Sequence, residues 1–195
     1  MTTRIILAPD REGLQKGFTL PTIMEKIKIE GIKLSNELFQ VNLRNRSNQE
    51  NTISQFCQIL AAHQINIPFF STTYLDQRIQ VSCCVAVEDK HRVRNLIDSE
   101  PELGGDVKFM PSVGLLSVFP HQSSLKILGL SLYAIGKARL PLYGLASSLS
   151  ALTFITDYIH LDKAAATLEQ YLELPSNQRP FRSEIGVRQS SIVKK

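Results

Sequence analysis

The amino-acid sequence predicts an α+β fold made of two consecutive β-α-β-β-α-β units, with antiparallel sheets and the helices on one face. The main observation is that hydrophobic spacing switches between periods of 2 and 3.6 residues in the same order twice, about 75 residues apart. An apolar strand without a local partner precedes the first unit. The chain has 195 residues, of which 43% are hydrophobic, enough for a packed core.

The first unit begins with a strand and a helix. ELFQVNL at residues 37–43 alternates apolar and polar side chains, as in a half-buried strand. After the polar loop RNRSNQEN, apolar residues recur at helical spacing, and Asn51 or Thr52 is available to cap the helix, which ends near His63. The predicted inner face of this helix comprises Ile53, Phe56, Cys57, Leu60 and Ala61.

A hairpin, a second helix and a short strand complete the first unit. Two β-rich segments within residues 65–87 flank a polar turn, which predicts the hairpin. Val93, Leu96 and Ile97 share one face of the helix that follows, and Pro101 ends it. VKFMP then supplies the closing strand.

The same order recurs from Val113, but without a closing strand. VGLLSVF predicts a strand and SSLKILGLSLYAIGK a helix capped by Ser123 or Ser124. LPLYGLASSLS and ALTFITDYI predict paired strands, and LDKAAATLEQYLEL a helix whose inner face holds Ala165, Leu168, Tyr171 and Leu172. Upstream, Ile27 and Ile29 alternate with charged residues in IMEKIKIEGIKLS. We predict that this strand crosses over to complete the second unit, so that the two units interlock.

These patterns divide the chain into four regions. They are an N-terminal extension at 1–23, a first unit at 37–111, a second unit formed by 24–36 plus 112–175, and a flexible basic tail at 176–195. The tail holds five basic residues and one acidic residue, which accounts for the whole net charge of +4. The neutral body argues against a nucleic-acid partner.

The residues that commonly carry chemistry form no catalytic or metal-binding pattern. Cys57, Cys83 and Cys84 lack CxxC spacing and are expected to be reduced core residues. The four histidines show no ligand spacing, and the sequence contains no P-loop, GxGxxG, HExxH or GxSxG motif. We therefore expect no catalytic residue, no cofactor and no metal.

Targeting signals are also missing from the sequence. Its apolar stretches are shorter than the roughly 20 residues that span a bilayer. The N-terminus MTTRIILAPDREG lacks the apolar segment of a signal peptide. The expectation is a cytoplasmic protein without a membrane partner.

The order of elements and the Ser/Thr-rich second strands, in FFSTTYLDQRIQVSCCV and LYGLASSLSALTFIT, resemble the paired ACT domains at the regulatory C-terminus of aspartokinases. The resemblance covers residues 24–175 and implies two ferredoxin-like units that share a strand from before the first unit. It also implies a homodimer that binds a small amino acid, such as lysine or threonine, and modulates an amino-acid biosynthetic enzyme. Because only 23 residues precede Met24, we expect no kinase domain in this sequence.

In that family the ligand is held by the loop after the first strand and by the second strand of each unit. The resemblance therefore implies these ligand-binding residues: Asn48, Gln49, Asn51, Ser71, Thr72, Thr73, Gln122, Ser123 and Ser147. A free amino acid needs backbone amides for its carboxylate and hydroxyls or carbonyls for its ammonium group.

Two other functions remain open. Neither loop has the glycine that is usual in the family, and Leu149 stands where aspartokinases tend to carry an acid, which favours an assembly module with decayed ligand sites. An RNA-binding sheet would need exposed aromatic side chains beside basic residues. Phe69 and Phe70 near Arg78 meet this requirement only in part.

Overall fold

The structure of the chain is a computed structural model. It describes residues 25–45, 51–75, 78–100, 103, 106–120 and 123–182. The helices in these ranges are α1 (Asn51–Ala62), α2 (Lys90–Asp98), α3 (Leu125–Lys137) and α4 (Leu161–Leu168). The strands are β1 (Ile27–Lys28), β2 (Gly31–Leu34), β3 (Leu38–Asn45), β4 (Phe69–Leu75), β5 (Arg78–Ala86), β6 (Asp106–Phe119), β7 (Gly144–Ser147), β8 (Leu152–Asp157), β9 (Leu172–Glu173) and β10 (Phe181–Arg182).

Strand β6 runs through both halves of the molecule, although the sequence predicts two separate strands there. Its pairing with β3 shifts in register between Leu38 and Gln40. At the same point Ser112 adopts a positive φ of 58°. An extra residue of this kind bends a strand without ending it. The predicted boundary between the strands VKFMP and VGLLSVF is therefore a kink in one continuous strand.

Unit 1 comprises β3, α1, β4, β5, α2 and residues 106–110 of β6. Its sheet has the order β6-β3-β5-β4, with all neighbours antiparallel. Phe39, Val41 and Leu43 on β3 are buried and pack with Phe56 of α1 and Val93 of α2. The predicted alternation of β3 is thus confirmed, and its apolar side faces the helices.

Unit 2 comprises residues 113–119 of β6, α3, β7, β8, α4 and β2. Its sheet has the order β2-β6-β8-β7, again antiparallel. The predicted crossover is confirmed because β2 pairs with β6, but the pairing residues are Gly31–Leu34. Ile27, which the sequence analysis placed in this strand, lies in β1 and pairs in parallel with Leu172 of β9. A Cβ atom at Gly31 would lie 2.5 Å from Cζ of Phe119, so a glycine suits this close crossing.

Strands β2 and β3 lie end to end beside the long strand β6. Together they form a two-stranded ribbon, with β6 as one strand and β2 followed by β3 as the other, and this ribbon is common to both units. β2 and β3 follow one another along the same strand β6, the first along residues 116–119 and the second along residues 106–113. On the helix-free face at this crossing, a buried apolar cluster joins the two units: Leu38, Phe69, Cys84, Val113, Leu115 and Ile155. Together the two units form the α+β fold with antiparallel sheets that the sequence predicts.

Three details of the predicted elements are wrong. Ala61 is exposed and does not belong to the inner face of α1. The last helix ends at Leu168, and Leu172 lies in β9, where its side chain is nonetheless buried. The tail is not a free extension along its described part, since Phe181 and Arg182 pair with β2, whereas residues 183–195 lie outside the described residues.

The first helix of each unit ends in the same way. Gln64 after α1 and Arg139 after α3 both have positive φ, at 56° and 52°. The next residue in each case, Ile65 or Leu140, is buried and donates its amide back to the last turn of the helix. This is the Schellman arrangement, here without the usual glycine.

Candidate functional site

Thr72 on β4 and Ser147 on β7 occupy equivalent places in the two units. Thr72 pairs with the buried Val81, and Ser147 pairs with the buried Leu152. Each buried partner in turn pairs with the first strand of its unit close to the C-terminal end of that strand. Two of the predicted hydroxyl residues therefore hold the same position in a repeated design.

The first strand of each unit ends at the same end of the sheet as these hydroxyls. In unit 1 the first strand ends at Asn45, just before the loop 46–50, and in unit 2 it ends at Phe119, just before the loop 120–124. The third strand of each unit separates the first strand from the second. With neighbouring strands about 4.8 Å apart, the end of the first strand and the second-strand hydroxyl are separated by about 10 Å across the sheet. Within one unit, the end of the first strand and this hydroxyl are therefore not in direct contact.

The three predicted hydroxyls of β4 do not share one face. Ser71 and Thr73 alternate with Thr72 and point to the helix-free face, on which Phe69 is buried. Thr72 points to the helix side and is exposed. Thr72 has a hydroxyl counterpart within β7 in Ser147, whereas the counterpart of Ser71 is Ala146, so the helix-side position is the stronger candidate.

The loop before α3 contains a residue in the backbone conformation that glycine favours. Ser123 has a φ of 53° and is exposed. Ser124 is the N-cap of α3, as the sequence analysis allowed, because its hydroxyl accepts a hydrogen bond from the Ile127 amide at 3.3 Å. In this loop a serine therefore adopts the left-handed backbone conformation, which a glycine would adopt with less strain.

Several predicted site residues cannot be placed. Asn48, Gln49 and Gln122 lie outside the described residues. Asn51 is the first residue of α1, so it lies inside the helix and not at its cap, and its side chain is outside the description. The structure consequently tests neither the chemistry of these side chains nor their distance from a ligand.

The helices that follow the two loops present a similar electrostatic environment. Neither α1 nor α3 has an acidic residue in its first turn, whereas α4 carries Asp162 there. The partial positive charge at a helix N-terminus attracts carboxylates, and an internal acid in the first turn would compete for it. The start of α3 is therefore compatible with an anionic group, whereas Glu50 directly precedes α1 in the sequence.

The cysteines have the properties of core residues. Cys83 and Cys84 are fully buried, and Cys57 is half-buried. Burial raises the pKa of the Cys84 thiol to about 12, and burial raises the pKa of Cys83 as well, with smaller contributions from the neighbouring thiols Cys84 and Cys57. Such thiols stay protonated near neutral pH and are poor nucleophiles and poor metal ligands.

A buried polar side chain on the helix-free face of unit 1 was missed by the sequence analysis. Gln40 is fully buried, and its Nε2 donates to Oγ of Ser82 at 2.9 Å. Its Oε1 has no hydrogen-bond partner among the described residues. The only sequence signal was a glutamine in the outward row of a strand, which is the usual pattern of a solvated face and not of a buried one.

Neither a metal-binding cluster nor a membrane-spanning helix is present in the described ranges. Within them, no group of three or more His, Cys, Asp or Glu side chains is placed to hold a metal ion. No helix in the described part of the chain has the length and apolar character needed to cross a membrane.

Both sheets have the strand order 4-1-3-2, and β2 crosses from before unit 1 to complete unit 2, as expected for the paired ACT domains that the sequence resembles. Solved structures of the regulatory regions of aspartate kinases share this fold. The regulatory subunit of aspartate kinase from Thermus thermophilus, in its ligand-free form, is similar with a TM-score of 0.67 and 17% identity, over 74% of this chain and 99% of that chain. The regulatory subunit from Thermus flavus matches with a TM-score of 0.67 and 16% identity, over 74% and 99% of the two chains.

The structure of an aspartate kinase also contains this fold. The enzyme from Clostridium acetobutylicum matches with a TM-score of 0.66 and 11% identity, over 77% of this chain but only 36% of that chain. No protein-family model matches this sequence, and no curated protein matches it. At these identities the likeness establishes the fold, and the predicted resemblance to the aspartokinase regulatory region is confirmed at that level.

Proposed function

We propose that this protein is a non-catalytic regulatory module that binds a small amino acid, such as lysine or threonine, and thereby modulates an amino-acid biosynthetic enzyme. The observation that supports it best is the repeated arrangement of a loop, a helix N-terminus without first-turn acids and a second-strand hydroxyl at one end of each sheet. The aspartate kinase regulatory subunits of similar fold support the regulatory role. We further propose a cytoplasmic location and domain boundaries at 37–111 and at 24–36 plus 112–175, with β6 common to both.

The ligand chemistry follows from the charges of an amino acid. Its carboxylate would accept hydrogen bonds from amides at the start of α1 or α3. Its ammonium group would donate to the hydroxyl of Thr72 or Ser147 and to backbone carbonyls. Since the end of the first strand and the second-strand hydroxyl are about 10 Å apart within one unit, the hydroxyl in this proposal comes from a neighbouring copy of the chain.

The outer edge of β4 offers the contact for that second copy. Within the described ranges, β4 pairs only with β5, so its other edge is open. Phe70 and Tyr74 on this strand are 39% and 64% exposed. An open strand edge with exposed aromatic side chains is suited to pairing with another copy. We therefore propose a homodimer joined side by side through β4.

Calorimetric titration with each of the twenty amino acids tests the sensing function. We expect one or two of them to bind the native protein and the Thr72→Val variant to weaken that binding by about ten-fold, because one hydrogen bond to a charged group is lost. Thr73→Val is the matched control, since Thr73 is the neighbouring threonine and points to the opposite face. An absence of heat with all twenty, or an equal loss in both variants, would contradict the proposed site.

An assembly module without a ligand is the second candidate, and specific observations favour it. Leu149, which replaces the acid of the family, is 81% exposed next to the candidate position Ser147. Ser123 also takes an unfavourable φ in place of a glycine. Analytical ultracentrifugation with and without each amino acid separates the two candidates. A dimer whose dissociation constant is unaffected by any amino acid favours assembly, and one that tightens with a single amino acid favours sensing.

A further inference from the structure

Helix α3 of unit 2 has an apolar outward face. Its exposed residues include no acid and, apart from two lysines, are all leucine, glycine or tyrosine: Leu125, Lys126, Gly129, Leu132, Tyr133, Gly136 and Lys137. Leu125 is 80% exposed and Leu132 is 37% exposed. On the described surfaces of α1, α2 and α4 no large apolar side chain is exposed, as is usual for helices that face water. The outward face of α3 therefore has the composition of a contact surface.

Four of these residues form a single row along the helix. Leu125, Gly129, Leu132 and Gly136 follow one another at intervals of 4, 3 and 4 residues. This spacing keeps side chains on one face of a helix over about three turns, and it is the spacing of the seam between two packed helices. Large and small residues alternate in this Leu/Gly row, so it presents two ridges and two hollows.

The fold of the chain itself does not explain the two glycines of the row. A Cβ atom added at Gly129 or Gly136 would meet no heavy atom of the described residues within 4 Å, and neither glycine has a positive φ. At Gly31 and Gly114, by contrast, an added Cβ would collide with Phe119 or Leu161. Glycine is also a poor helix former. The hollows of the row therefore suit a group that approaches from outside the chain.

The Leu/Gly row is complementary to itself when two copies run antiparallel. Leu125 and Gly136 are its outer members, and Gly129 and Leu132 are its inner members. Each leucine thus has a glycine at the same distance on the other side of the centre of the row. A two-fold axis through that centre places every leucine opposite a glycine of the second copy. Two-fold contacts between identical chains require such a self-complementary patch, whereas an unrelated partner does not.

We infer that α3 packs antiparallel against α3 of a second copy of this chain, with Leu125 against the partner's Gly136 and Leu132 against the partner's Gly129. This contact is separate from the proposed pairing of β4 and does not depend on it. One helix from each copy buries less than the roughly 800 Å² per partner of a standard interface, so the dissociation constant should be on the order of 10–100 μM. Lys126 and Lys137 flank the row on one side, and those of the two copies approach each other. High salt should therefore tighten the association.

Disulfide cross-linking tests the antiparallel register. Leu125→Cys and Gly136→Cys are prepared as two separate proteins. In the proposed pair these two positions face each other within the roughly 7 Å that a disulfide spans between Cα atoms, whereas either position lies about 16 Å from its own copy. The mixture should therefore cross-link at about 0.5 mM under mild oxidation, and each protein alone should not. The native chain is the control for the half-buried Cys57. No cross-link in the mixture, or equal cross-linking in the separate proteins, would overturn the inference.

Filling the two hollows separates association from folding. Gly129→Gln with Gly136→Gln should weaken the self-association about ten-fold in sedimentation equilibrium, because the added side chains occupy the space of the partner's leucines. The same variant should unfold about 2 °C higher in dilute solution, since glutamine is the better helix former.

Ala166→Gln is the matched control, because Ala166 is a small exposed residue of α4 in the same unit. It should leave the self-association unchanged. An average mass that the double glycine variant does not alter would overturn the inference, whether α3 is then bare or covered by residues 1–24 of the same chain. An equal loss in the control, or an association that high salt weakens, would also overturn it.

Discussion

Units 1 and 2 share one topology but differ at the outer edges of their sheets. Thr72 and Ser147, as well as Gln64 and Arg139, hold equivalent places, so the repeat extends to single residues. The sheet edges diverge: unit 2 covers its fourth strand with the tail, whereas the described part of unit 1 leaves it open. The comparison indicates that the crossing strands determine the shared fold, whereas the pairing of the outer sheet edges can differ between the two units.

The cores of the two units also differ in chemistry at equivalent positions. Cys83 and Cys84 on β5 pair with the first strand of unit 1 at the places where Phe154 and Ile155 on β8 pair with that of unit 2. All four side chains are buried. Unit 1 therefore contains ionisable groups in its core at places where unit 2 has only hydrocarbon, and the two units should respond differently to alkaline pH.

The largest expected effect comes from the strand that interlocks the units. Ile32 on β2 is fully buried, and its counterpart on the fourth strand of unit 1 is the half-buried Val107. We expect Ile32→Ala to lower the free energy of unfolding by about 3–4 kcal/mol, and Val107→Ala by about 1 kcal/mol, because the cost follows the buried volume that is lost. Urea titration of both variants checks this. Similar losses would show that β2 is no more essential to unit 2 than an edge strand.

Alkaline pH should destabilise the protein through the thiols of unit 1. The pKa values of Cys83 and Cys84 are raised by burial in the folded state, so the unfolded chain loses these protons first. The contribution of these thiols to the free energy of unfolding is therefore fully present below pH ~9. It is lost as the pH rises toward 12, by up to about 1.4 kcal/mol per pH unit for each thiol.

Urea titrations at several pH values between 7 and 10.5 measure this slope. The variant Cys83→Ala with Cys84→Ala is the control, and it should show a smaller slope although it is less stable at pH 7. Identical slopes in the two proteins would mean that the buried thiols do not contribute to the pH dependence.

A smaller effect is expected where the tail meets unit 2. Arg182→Ala should lower stability by about 1 kcal/mol or less, because Asp162 is 79% exposed and exposed ion pairs contribute little. The clearer readout is hydrogen exchange at β10, which should become fast in the variant. Asp162→Asn removes the ion pair but keeps the stacking of Arg182 on Tyr158, so it should give an intermediate exchange rate.

The smallest effect tests the repeated helix ends. Replacing Gln64 or Arg139 by glycine should raise stability by roughly 0.5–1 kcal/mol, since both residues adopt a positive φ that glycine tolerates without strain. Thermal unfolding should show an increase of about 2 °C in each case. If one glycine variant were more stable and the other less stable than the native protein, the two helix ends would not be equivalent.

The architecture was predictable from the sequence because it rests on hydrophobic periodicity. The unpartnered strand around Ile27 and Ile29 and the missing closing strand of unit 2 together indicate a crossover. The exact partner residues were not predictable. Ile32 and not Ile27 pairs with β6, at a crossing where Gly31 packs closely against the Phe119 ring, which is a contact between residues distant in sequence.

The candidate site was predictable only in part. The sequence indicates which strand carries hydroxyls, but not that Thr72, rather than Thr73, matches Ser147, since this depends on the pairing register of two hairpins. The docking of the tail was missed for a similar reason. Two residues in a polar, basic segment carry no β pattern, and Arg182 is held by partners that are distant in sequence.

Native-state hydrogen exchange at the shared ribbon tests the central claim most directly. If units 1 and 2 are interlocked through β2, β3 and β6, both should open only by global unfolding. The backbone amides of Val41 in unit 1 and Val118 in unit 2 should then exchange with the same opening free energy. They should also show the same dependence on urea. Opening of one unit at a free energy several kcal/mol below the other would contradict a shared fold and indicate two independent domains.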